Sequence, residues 1–92
     1  MENLTQAEMA LLREIWRCEA ATVRQLAEAI YGSSVDSKTA AVLKLLQRMM
    51  AKGYVDCRRS ERPHVYVAAI TQEQYLKLQL QELADLHCDG KL

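Results

Sequence analysis

The chain has 92 residues, room for one small domain and not for two, and a core of that size is only marginally stable unless a partner adds surface. Half of the residues are apolar and 26% are charged, which excludes a disordered chain, and no apolar run approaches the roughly 20 residues of a membrane span. Twelve basic and twelve acidic side chains cancel, a balance that speaks against a nucleic-acid binder until the charges are placed along the chain. The opening Met1-Glu2-Asn3-Leu4 is neither basic nor followed by an apolar stretch, so no secretory leader is expected and a cytoplasmic location follows.

The first helix starts at Thr5-Gln6-Ala7-Glu8, where Thr and Glu stand at the spacing of a reciprocal cap, with Leu4 and Met9 placed as a hydrophobic staple. Leu12, Ile15 and Trp16 continue an apolar stripe to about Cys18, and a large aromatic at that spacing reads as core rather than as a ligand site. Glu19-Ala20-Ala21 reads as a short connection. Thr22 and Gln25 repeat the cap, and Val23, Leu26, Ala27 and Ile30 give a second helix one apolar face that ends near Tyr31-Gly32.

A third helix is expected from about Asp36 or Ser37 to Lys52, closed by Gly53. Steps of about 100° put Val42, Leu45, Leu46 and Met49 on one side. The other side carries Ser37, Ala40, Ala41, Lys44, Gln47 and Arg48, a small-residue, hydrogen-bonding, basic face with no acid after Asp36. A major groove admits such a helix: small residues allow close approach, and Lys, Gln and Arg reach phosphates and base edges.

After Gly53 the apolar period changes from 3.6 to 2. Val55 and Cys57 alternate with Asp56 and Arg58, and Val65 and Val67 alternate with Tyr66, around the polar turn Arg59-Ser60-Glu61-Arg62-Pro63. This is a β-hairpin with a basic tip. From Ser37 to His64 there are seven basic and two acidic residues, one basic segment on an otherwise acidic chain, which reads as an electrostatic footprint for DNA or else as a solvated charged face. Thr71 and Gln74 make a third cap, opening a last helix to about His87, with Leu76, Leu80, Leu83 and His87 on one face and Gly90 as its end. The fold class expected is mainly α with a small β-hairpin, a winged helix-turn-helix, with residues 1–70 as the DNA-binding domain and residues 71–92 as a dimerisation segment.

Cys18, Cys57 and Cys88 are too scattered for a disulfide framework or a zinc knuckle. His87-Cys88, and Cys57 with His64, are incomplete as ligand sets, so no metal and no cofactor are expected. Cys57 with His64 is the one nucleophile–base pairing in view, and a strand-core cysteine is the simpler account, so no enzymatic activity and no small-molecule substrate are expected.

Leu4-Thr5-x-Ala7-Glu8, Leu12-x-x-Ile15-Trp16 and Ala21-Thr22-Val23-Arg24-x-Leu26 resemble the opening of the penicillinase-repressor family, which includes the β-lactamase, methicillin-resistance and copper-responsive repressors. Val42-Leu43-x-Leu45-Leu46-x-Arg48-Met49-x-x-Lys52-Gly53-Tyr54-Val55 resembles its recognition helix and the start of its wing. The resemblance covers residues 4–68 and implies a transcriptional repressor bound to double-stranded DNA. The family has several C-terminal helices for dimerisation where this chain has one, and a homodimer is expected from the apolar face of Leu76, Leu80 and Leu83. Ala41 and Lys44 stand where the family has threonines, which implies an operator of a different sequence. The DNA contacts expected are Ser37, Lys38, Thr39, Lys44, Gln47 and Arg48 on the third helix, and Arg58, Arg59, Arg62 and His64 on the wing. A winged helix used for protein interaction, through the leucines of the last helix, is the alternative.

Overall fold

Three of the four helices begin where a Thr stands three residues ahead of Glu or Gln. The computed structural model describes residues 3–91, and the side chains of residues 3–84. It contains α1 (Gln6–Cys18), β1 (Ala20–Ala21), α2 (Val23–Tyr31), α3 (Asp36–Lys52), β2 (Val55–Arg58), β3 (Val65–Ala68) and α4 (Gln72–Lys91). The Thr5 hydroxyl accepts from the Glu8 amide at 3.2 Å, and the Glu8 carboxylate accepts from the Thr5 amide at 2.9 Å. Thr22 with Gln25 and Thr71 with Gln74 form the same pair of bonds. Each box satisfies two amides that a first helical turn leaves without partners.

Helix α3 is the exception. Its N-cap is Val35, which has no oxygen to offer, and no side-chain cap forms. Val35 is exposed, so a Val35→Ser variant gives up no core contact. It is expected to gain about 1 kcal/mol, seen as a rise of several degrees in melting temperature. An unchanged or lower midpoint would mean that the valine side chain itself stabilises the turn.

The segment Glu19-Ala20-Ala21, expected as a plain connection, holds a turn and a strand. Glu19 closes α1 at φ 71°, its amide donating to the Ile15 carbonyl at 2.7 Å. Ala20 and Ala21 then pair antiparallel with Val67 and Tyr66. The hairpin is thereby widened to a three-stranded sheet in the order β1-β3-β2. Two alanines have a weak strand preference and no alternation to show, so their pairing with β3 makes the strand. Strand β2 meets β3 in the register Val55↔Ala68, Asp56↔Val67, Cys57↔Tyr66 and Arg58↔Val65. Residues directly opposite share a face. Of the Val65-Tyr66-Val67 alternation it is therefore Tyr66 that lies with Val55 and Cys57 on the core side.

The core takes Leu11, Leu12 and Ile15 from α1, Leu26 and Ala27 from α2, and Val42, Leu46 and Met49 from α3, closed by Tyr54, Val55, Tyr66 and Ile70. Gly53 ends α3 in the left-handed region at φ 87°. There the Tyr54 amide reaches the Met49 carbonyl at 2.9 Å and the Gly53 amide reaches that of Met50 at 3.1 Å. This double bond pattern turns the chain from helix to strand within two residues and drops Tyr54 into the core.

Helix α4 is anchored at its base. The Trp16 indole N–H donates to the Ile70 carbonyl at 2.9 Å. The Tyr75 ring lies 6.0 Å from that of Trp16 and 5.9 Å from that of Tyr54, and Leu78 packs on the same side. The helix does not stop at Gly90 but continues to Lys91; an interior glycine costs about 1 kcal/mol relative to alanine without forcing an end. Twenty helical residues extend about 30 Å, which accounts for a molecule 52 Å long and only 25 Å across. Among the described residues, no helix is long and apolar enough to cross a membrane.

Candidate nucleic-acid interface

Because α3 buries the Val42, Leu46 and Met49 stripe, its opposite side is fixed toward solvent. Lys44, Gln47 and Arg48 are exposed there, flanked by Ala40 one turn before and Ala51 one turn after, with Ser37 at the N-terminal end. Two neighbours have local partners. The Lys38 ammonium stands 5.2 Å from the centre of the Tyr31 ring, and the Thr39 hydroxyl donates to the Asp36 carbonyl at 3.0 Å. Leu43 is exposed on the flank of this face.

The far end of α3 is tied to the start of α1. Lys52 Nζ donates to Glu8 Oε1 at 2.7 Å and to the Asn3 carbonyl at 3.0 Å. Glu8 is fully buried, and its Oε2 has no hydrogen-bond partner among the described residues. Burial pushes the Glu8 carboxyl up, but the Lys52 ammonium and the Thr5 amide outweigh it and hold its pKa below the ordinary value. Sequence reasoning gave Glu8 only the cap. The signal for more was present: Glu8 precedes Leu11, Leu12 and Ile15 by three, four and seven residues, a core position where a charge demands a partner.

The wing residues divide. Arg62 and His64 line a crevice of about 400 Å³ with the first turn of α2 and with Leu43 of α3. Arg59 is exposed just beyond the end of β2. Arg58 instead lines a crevice of about 530 Å³ shared with Trp16, Glu19 and the start of α4. Alternation along β2 puts Arg58 on the face of the sheet opposite Cys57. The first crevice also contains Arg24, which charge counting along α3 and the wing had passed over. Leu76, Leu80 and Leu83 of α4 are exposed at 57%, 57% and 54%. His87 lies outside the residues whose side chains are described.

Cys57 does not pair with His64. Across the ladder it faces Tyr66, whose hydroxyl is pushed to a higher pKa by burial and by its hydrogen bond with the Cys57 thiol. Among the described residues, no three His, Cys, Asp or Glu side chains gather as a metal site.

The family model described as penicillinase repressor matches residues 4–92. The chain belongs to that family. The match extends past the residues that carry the resemblance in sequence and takes in α4. Comparison with the curated proteins gives no match. Membership of the penicillinase repressor family implies a transcriptional repressor of the DNA-binding kind, and members of the family are regulators rather than enzymes.

Proposed function

We propose that the protein is a sequence-specific repressor that occludes a promoter, with the outer face of α3 in the major groove and the wing beside it. The observation that carries this reading is the α3 face itself: Lys44, Gln47 and Arg48 all exposed, flanked by the small Ala40 and Ala51. Arg48 reaches a base edge or a phosphate from one turn beyond Lys44. Arg59 and Arg62 contact the backbone, which positions the protein without specifying sequence.

Titration of a nonspecific duplex with salt tests the reading. Binding weakens steeply as salt rises, because each phosphate contact releases counterions. Selection from random duplexes then gives the operator. On that operator, Arg48→Ala is expected to weaken binding by about 1–3 kcal/mol and to relax preference at one position. A lower melting temperature with binding intact would assign Arg48 a structural role instead. The exposed leucines of α4 favour one alternative, a winged helix that binds only protein. Absence of duplex binding at low salt selects that alternative.

A further inference from the structure

The crevice between α2, α3 and the wing combines features that no single element shows. Its basic lining is Arg24 from the first turn of α2, with Arg62 and His64 from the wing turn, and it contains no carboxylate. All three groups are exposed, and none of them forms an ion pair among the described residues. The remaining polar side chains are occupied, the Thr22 hydroxyl by the Gln25 amide and the Tyr66 hydroxyl by the Cys57 thiol. Between the cations lie Val23, Leu43, Pro63 and the Tyr66 ring.

Two guanidinium groups gathered without a counter-charge repel one another, and an anion between them relieves that repulsion. A guanidinium fork matches phosphate oxygens in pairs, and apolar walls suit the sugar faces of a nucleic-acid strand. The position is also right. Leu43 belongs both to the crevice and to the flank of the α3 face, one helical turn before Gln47. A strand whose bases meet Gln47 therefore carries its phosphates past this opening. The Arg58 crevice lacks this character, because the Glu19 carboxylate shares it.

We propose that Arg24 closes with Arg62 and His64 on a single backbone phosphate of double-stranded DNA, so that α2 joins α3 and the wing in the contact. This rests on the DNA-binding reading and deepens it. The test is fluorescence anisotropy of the full chain on the selected operator and on a scrambled duplex, between about 50 and 200 mM salt. Arg24→Gln weakens both duplexes about tenfold and lowers the salt slope by about one. Arg13→Gln, an equal loss of charge on the exposed side of α1, leaves the slope unchanged. Combining Arg24→Gln with Arg62→Gln gives a loss at least about threefold away from the product of the single losses, since both act on one phosphate. Wild-type binding with an unchanged Arg24→Gln slope overturns the proposal and leaves the DNA-binding reading standing. Losses that simply multiply make Arg24 and Arg62 separate contacts and overturn the shared site. Failure of the wild type itself to bind any duplex overturns both.

Discussion

A Glu8→Ala variant is expected to lose about 3–4 kcal/mol of stability, enough to lower the melting temperature by about 12–32 °C in a domain of this size. Glu8 is fully buried and serves two elements at once, capping α1 and holding Lys52 at the end of α3. Removing it leaves the Lys52 ammonium short of a partner in a side chain that is only 16% exposed, and deletes one half of a cap. Breaking a buried pair from one side costs about 3–5 kcal/mol, and the access of Lys52 to water moves the expectation toward the lower end. The unpartnered Oε2 shows that the pair is not fully satisfied. Replacing both partners, as in Glu8→Leu with Lys52→Met, should therefore recover most of the loss. Thermal unfolding of the two variants decides the point, and a loss below about 1 kcal/mol in Glu8→Ala would sink the structural role.

The same pair sets a pH dependence. The folded-state pKa of Glu8 lies below its ordinary value of 4.5. A carboxylate shifted in that direction stabilises the fold fully above its unfolded pKa, and the contribution disappears as pH falls through the folded pKa. The stability gap between wild type and Glu8→Gln should accordingly be constant near neutrality and narrow below about pH 4.5. A gap that widens with acidification would mean the carboxyl is held neutral in the fold.

Local chemistry made much of this molecule legible in its sequence. The three capping boxes depend on residues three apart, so Thr5, Thr22 and Thr71 announced their helices without help from the rest of the fold. The outer face of α3 followed from helical periodicity alone. Features that depend on distant partners were not legible. Strand β1 is two alanines that become a strand only where Val67 and Tyr66 lie alongside. Lys52 is 44 residues from Glu8. Arg24 sits on a helix whose own sequence suggests nothing about DNA, and only the fold brings it beside Arg62 and His64. Tyr66 faces the core because its register sets it opposite Cys57, which alternation in β3 alone does not fix.

A Leu80→Glu variant is expected to be monomeric and to lose cooperative binding to a two-half-site operator while keeping the affinity of a single half-site. Helix α4 presents two faces. Tyr75 and Leu78 turn toward the body, where Tyr75 meets Trp16 and Tyr54. Leu76, Leu80 and Leu83 point more than a quarter-turn away and remain over half exposed. With the base of the helix already docked, nothing in the same chain covers this second stripe among the described residues. Apolar stripes of this kind mark interfaces, and a two-fold pair is the commonest way to close one. Six half-exposed leucines contribute about 1 kcal/mol each when two copies bury them, a gain of the same order as the lower range of association costs. That surplus falls short of the roughly 8 kcal/mol of a micromolar pair, so the pair is expected at high protein concentration and to be reinforced when two recognition helices engage half-sites on one face of the duplex. A glutamate at position 80 sets two carboxylates across the two-fold axis in an apolar seam, and either charge alone is enough to open it. Sedimentation equilibrium of both proteins, with binding curves on one and two half-sites, measures the effect. A wild type that stays monomeric at high concentration and occupies half-sites independently would refute the dimer, and would leave the α4 leucines to a different partner.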